Sequence, residues 1–151
     1  MIKIATFVGA LLIATSSHAL TITPFNEYWN IAESEYGTCA VHTSYDGGEI
    51  AFEMLNGEIS MYHYVDNEFP MSNIAIRTFI QFEPIGATVE YQMYHPAENT
   101  GVGFAVLDKN FLELAFTSDF MVYENSQLDY TVEMDLTGFT EAMAIAYTCN
   151  N

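Results

Sequence analysis

Apolar and polar residues alternate with period two over most of this chain. The stretch "IAFEMLNGEISMYHYV", residues 50–65, is centred on Asn56-Gly57, the pair that favours the positive φ angles of a tight hairpin. Folding about that pair sets Leu55 opposite Glu58, Met54 opposite Ile59, Glu53 opposite Ser60 and Phe52 opposite Met61. One face of the hairpin is then apolar and the other carries Glu53 and Ser60, the pattern of a half-buried antiparallel pair. In "NIAIRTFIQFE", Ile74, Ile76, Thr78, Ile80 and Phe82 alternate with Ala75, Arg77, Phe79, Gln81 and Glu83. After the turn "EPIGA", Val89, Tyr91 and Met93 alternate with Thr88, Glu90 and Gln92. "HPAENTG" interrupts the pattern, and "GVGFAVL" is expected to pair with "FLELAFT" through residues 108–110. The cleanest alternation is "LDYTVEMDL", where Leu128, Tyr130, Val132, Met134 and Leu136 face one way. The sum is about eight to ten strands with no internal repeat. That predicts an all-β fold, an antiparallel β-sandwich.

The end of the chain breaks the rule. In "GFTEAMAIAYTCN", Phe139, Ala142, Met143, Ala146 and Cys149 recur at helical spacing, which predicts a short C-terminal helix of two to three turns with Cys149 on its buried side. Thr137 is placed to cap it, and Glu141 falls where a helix N-terminus favours negative charge. A final strand is the alternative.

The start of the chain has a different character. Lys3 precedes the apolar run of residues 4–14, and "TSSHA" ends on small residues at Ser17 and Ala19. A positive start, an apolar core too short to span a bilayer and a small-x-small exit predict a secretory signal peptide over residues 1–19, against a short membrane anchor or a first buried strand. Residues 20–151 then form a single domain, long enough to bury one core. Acidic residues break every later apolar run, so no membrane insertion is expected after cleavage.

Charge narrows the partners. Three Lys and Arg face 20 Asp and Glu, for a formal charge of −17, and Lys3 lies in the leader. Such a surface repels phosphate backbones and anionic lipid, so nucleic acid and membrane surfaces are poor partners. Self-repulsion on this scale destabilises the compact state, and it is screened when the Debye length falls to about 3 Å in molar salt. The protein is therefore expected to melt at a higher temperature in molar sodium chloride than in dilute buffer. Thermal unfolding at the two salt concentrations checks this.

Cys39 and Cys149 are the only cysteines, and both follow the leader. An even pair in an exported chain, with no C-x-x-C and no cysteine-histidine cluster, predicts a structural disulfide Cys39–Cys149 that fixes the terminal helix across one end of the sheets.

Candidate chemistry is sparse. His63 shares a strand face with Met61 and Ile59, which predicts a satisfied, partly buried imidazole, and His42 and His95 lie on separate segments. No pair has metal-ligand spacing, and no metal or cofactor is expected. Asp46 and Glu49 flank the glycines of "SYDGGE" without the repeating pattern of a calcium loop, so a solvated acidic turn is the expected reading. No nucleophile elbow or S-x-x-K occurs, so no catalytic residue is assigned. With 20 acids, a carboxylate pair at hydrolytic separation arises by chance. Among the many aromatics, Tyr62 and Tyr64 fall on the hairpin face opposite Met61, beside Glu53. If that face is exposed, Tyr62, Tyr64 and Glu53 make a contact surface for a protein or a carbohydrate; if a second layer covers it, they pack instead.

The early tryptophan in "EYWNI", the hairpin after "YDGGEIAFEML" and the close "DLTGFTEAMAIAYTC" resemble small exported bacterial proteins of the invasion-associated locus B type. The chain departs from that family in its acidity and in lacking further cysteines after the tryptophan. The resemblance implies a β-sandwich body, a helical close and a periplasmic or cell-surface location, and carries no catalytic motif. The expected function is a non-enzymatic binding module of the envelope or extracellular space. The alternatives are a lipocalin-like β-barrel carrier of an apolar ligand, whose strands close around a cavity, and a carboxylate-dependent hydrolase.

Overall fold

The structure is a computed structural model of the 151-residue chain, and it describes residues 21–65, 76–94, 102–125 and 130–150. Residues 1–20, which hold the predicted leader, and His95, Leu128 and the turn "HPAENTG" lie outside the described residues.

Ten strands and two helices occur among them. The strands are β1 Thr21–Pro24, β2 Asn30–Glu33, β3 Cys39–Tyr45, β4 Gly48–Leu55, β5 Glu58–Val65, β6 Ile76–Glu83, β7 Ala87–Met93, β8 Val102–Leu107, β9 Phe120–Asn125 and β10 Tyr130–Asp135. The helices are α1 Lys109–Ala115 and α2 Phe139–Cys149. The strands form two antiparallel sheets, ordered β1-β2-β3-β4-β5-β8 and β10-β9-β6-β7. They join at one corner through a single bridge, where Tyr94 N–H donates to Phe104 O at 2.7 Å and Phe104 N–H donates back at 2.8 Å. The fold is thus an open sandwich, which corrects the barrel alternative: among the described residues the strands form two open sheets and no closed ring.

The central hairpin has the register read from the sequence, with Leu55↔Glu58, Met54↔Ile59, Glu53↔Ser60 and Phe52↔Met61. Asn56 and Gly57 take φ values of 52° and 79°, the left-handed pair that matches strand twist. One expectation fails here. Glu53 and Ser60 on the outward face are only 7% and 9% exposed, so this hairpin is buried on both faces.

Residues 108–115 are also corrected. They form α1, and β8 pairs with β5 instead. Asp108 caps α1 by accepting from Phe111 N–H at 3.2 Å, and Phe111 and Ala115 are its buried residues. Spacing of four places both on one helical face, and over so short a run period two and helical spacing compete on equal terms.

Helix α2 forms as predicted, but Thr137 does not cap it. Gly138 is the N-cap, at φ 78° with no side-chain cap bond. A Cβ there would meet Asn26 Nδ2 at 2.4 Å, so the position calls for glycine on both counts. Asn26 ties this corner together: its Nδ2 donates to Thr137 O at 2.8 Å, and its Oδ1 accepts from Trp29 N–H at 2.7 Å. Trp29 is fully buried, its indole N–H donates to Asp135 O at 2.8 Å, and its ring lies 4.8 Å from Phe139.

The disulfide Cys39–Cys149 is present, with the two Cα atoms 5.9 Å apart. Asn150 reinforces it by accepting from Cys39 N–H at 2.7 Å and donating to Cys39 O and Met54 O, both at 2.9 Å. Between the sheets, Phe111 stacks on Phe52 at 5.4 Å and meets Phe82 and Tyr91 of the other sheet edge-on at 5.7 and 6.4 Å. Aromatic packing therefore fills the helical end of the sandwich.

Candidate functional site

Three groups of polar and aromatic side chains bear on function, and each sits on a different surface of the two sheets.

The first contains the residues singled out by sequence. Tyr62, Tyr64 and Glu53 do lie together on the outward face of the six-stranded sheet, as alternation requires. Tyr62 O–H donates to Glu53 Oε2 at 3.1 Å, and the Tyr62 ring lies 5.3 Å from Phe104. All three are buried, at 8%, 8% and 7% exposure, so of the two arrangements that the sequence left open the structure shows the packed one. Burial raises the Glu53 carboxyl above its usual range, an effect that the Tyr62 hydroxyl partly opposes, and it raises the Tyr62 hydroxyl as well. His42 on the same face is 3% exposed, and burial pushes its imidazole down to about 4.

These two groups drive pH dependence in opposite directions. A base whose folded value is depressed contributes stability above its ordinary value near 6.5, and that stability is lost as pH falls toward about 4. An acid whose folded value is raised does the reverse: its contribution is present at low pH and lost as pH rises through the folded value. The His42 contribution to the unfolding free energy is therefore expected to fall between about pH 6.5 and 4. His42→Gln should flatten that fall, and Glu53→Gln should stabilise the protein at neutral pH. Urea titrations of both variants across this window are the check.

The second group lies between the sheets, at the end away from the helices. His63 is fully buried; its Nε2 meets the Tyr45 hydroxyl, and its Nδ1 lies 2.8 Å from the Tyr123 hydroxyl. Asn125 Nδ2 donates to that same Tyr123 oxygen at 3.3 Å, and Tyr123 O–H reaches Met93 Sδ at 3.5 Å. A neutral imidazole donates once and accepts once, and here both nitrogens are engaged. Because His63 is on β5 and Tyr123 on β9, this bond joins the two sheets across the core. The imidazole is satisfied, as its strand position predicted, and it is more deeply buried than the partial burial expected.

Among the described residues, no three His, Cys, Asp or Glu side chains are placed to hold one metal ion. Asp46 occupies the β3–β4 turn, and Glu49 accepts from Ser44 Oγ at 3.4 Å.

The third group was missed by the sequence reading: the outward face of the four-stranded sheet. Pairing sets Thr131, Glu124, Phe79 and Glu90 in one row across β10, β9, β6 and β7, and Glu133, Val122, Gln81 and Thr88 in the next. Asp135, Phe120 and Glu83 make a third. Phe79 and Val122 are half-buried and Phe120 is 39% exposed, while Glu90, Glu124 and Glu133 are exposed. Arg77 lies beside this grid. Its guanidinium donates through Nε and a terminal nitrogen to the two oxygens of Glu90, both at 2.7 Å, and sits 5.5 Å from the Phe79 ring centroid. The Arg77 bonds hold the Glu90 carboxyl below its usual range. Arg77 and Phe79, two residues apart on one strand face, were the available signal; the partner carboxylates come from strands distant in sequence.

No protein-family model and no curated protein matches the chain. Among solved structures it is similar to invasion associated protein B from Bartonella henselae, at TM-score 0.60 and 15% identity over 85% of this chain and 96% of that one. The two proteins share a fold, in agreement with the resemblance carried by the tryptophan, hairpin and closing helix of the sequence.

Proposed function

We propose that this protein is an exported, non-enzymatic binding module of the periplasm or extracellular space, and that its working surface is the outward face of the four-stranded sheet. One observation carries the reading. On that face Phe79, Val122 and Phe120 are half-buried or exposed among exposed carboxylates, whereas the corresponding aromatics of the other sheet, Tyr62 and Tyr64, are buried. Aromatic area ringed by polar groups is the composition of a contact surface. The sheet beneath is part of a body closed by a disulfide and by a histidine that links both layers, so little order has to be gained on binding. The disulfide also supports export, since such bonds persist in oxidising compartments.

A photo-crosslinking side chain at Gln81, in the middle of the face, tests this in the producing cell. The expected result is one saturable adduct, displaced by unlabelled protein and absent when the probe sits at Asn110 on α1. Turnover on a panel of hydrolase substrates, abolished by substitution of a single carboxylate, would instead establish the hydrolase.

A further inference from the structure

Resting on that reading, we infer that the face binds an arginine-bearing basic segment of a partner protein, with the partner's guanidinium laid over Phe79 and held by Glu124. The chain contains its own example of the contact. Arg77 is clamped by both oxygens of Glu90 while its guanidinium approaches the Phe79 ring, so an aromatic face beside a strand carboxylate accepts this cation here. Phe79 has a second carboxylate neighbour. In register, Glu90 flanks it on β7 and Glu124 flanks it on β9, one strand spacing of about 4.8 Å to either side.

The two sides differ in occupancy. Glu90 is satisfied by Arg77, Glu83 accepts from Gln81, and Asp135 accepts from Thr137 N–H. Among the described residues, no donor reaches Glu124 or its diagonal neighbour Glu133, and both are exposed. On the Glu124 side, the ring thus has a carboxylate neighbour in register and no cation from the described chain. Elsewhere Lys109 is the one other cation after the leader, and it lies on α1. With 20 acids against so few cations, a second copy of this chain is a poor occupant and a basic segment a complementary one.

The geometry selects arginine over lysine. A planar guanidinium can lie on a ring and engage a carboxylate through two parallel bonds, whereas an ammonium is a compact, strongly hydrated point charge. A neutral sugar supplies no positive charge for Glu124.

The test measures binding of two nonapeptides of equal charge, one arginine-rich and one lysine-rich, to the exported full chain in about 0.15 M sodium chloride, where the Debye length is about 8 Å. The arginine peptide is expected to bind about tenfold more tightly than the lysine peptide. Glu124→Gln and Phe79→Leu should each remove about that preference, while Phe79→Tyr keeps it. Glu113→Gln on α1 removes the same charge from another surface and should change affinity by less than about twofold. Both side chains point outward, and unchanged thermal melts confirm that the variants fold. Equal affinity for the two peptides, an effect of Glu113→Gln matching that of Glu124→Gln, or concentration-dependent dimers that exclude the peptide would each overturn the inference. If Gln81 still crosslinks saturably in such a case, the binding-module reading stands and only its arginine chemistry fails.

Discussion

Replacing Cys39 and Cys149 together by alanine is expected to lower the free energy of unfolding by about 4 to 5 kcal/mol, because the bond closes a loop with a sequence separation of 110. The effect arises in the unfolded chain, which the bridge keeps compact. The native contacts at the site largely survive the substitution: Asn150 still bonds Cys39 N–H, Cys39 O and Met54 O, and Ala142, Met143 and Ala146 of α2 remain buried. Urea unfolding should accordingly show a lower midpoint together with a steeper dependence on denaturant, since more surface becomes exposed when an uncrosslinked chain unfolds. An unchanged midpoint would show that the bridge adds nothing to the packing around it.

Phe111→Ala is expected to cost about 3 to 5 kcal/mol. The ring is fully buried and touches Phe52 and Phe139 on one side and Phe82 and Tyr91 on the other. Its removal opens a cavity where both sheets and both helices meet. Alanine is the best helix former, so the loss cannot come from α1 itself. Phe116→Ala is the control: that residue, just past the same helix, is 43% exposed, and surface substitutions of this kind stay within about 0.5 kcal/mol. Denaturant titration of the pair separates burial from residue type.

Local signals in the sequence carried much of the fold. Asn56-Gly57 set the hairpin register residue by residue, because turn type and alternation act on the same few positions. The helical stripe ending at Cys149 and the partnership with Cys39 were legible for the same reason, each being a short pattern or a pair with no competitor. α1 was not legible. "FLELAFT" fits a strand as well as a helix, and what decides is the Asp108 cap and the slot for Phe111 between the sheets. Nor does alternation reveal what lies against a face: it placed Tyr62, Tyr64 and Glu53 together correctly and left their exposure open, and the structure buries them. The Phe79 clamp was hidden more deeply, since Glu124 becomes its neighbour only when β6 pairs with β9, a contact spanning more than 40 positions.

The scarcity of cations has a further consequence for resistance to proteases. Trypsin-like enzymes cut after lysine or arginine, and beyond Lys3 the chain offers them only Arg77 and Lys109. The first lies inside β6, where Arg77 pairs with Gln92 of β7, and the second opens the capped helix α1. Cleavage needs an extended, accessible backbone that neither element presents while folded. Digestion by such enzymes should therefore report global opening of the domain rather than nicking of its surface, and the intact fold should outlast more cationic neighbours in the same compartment.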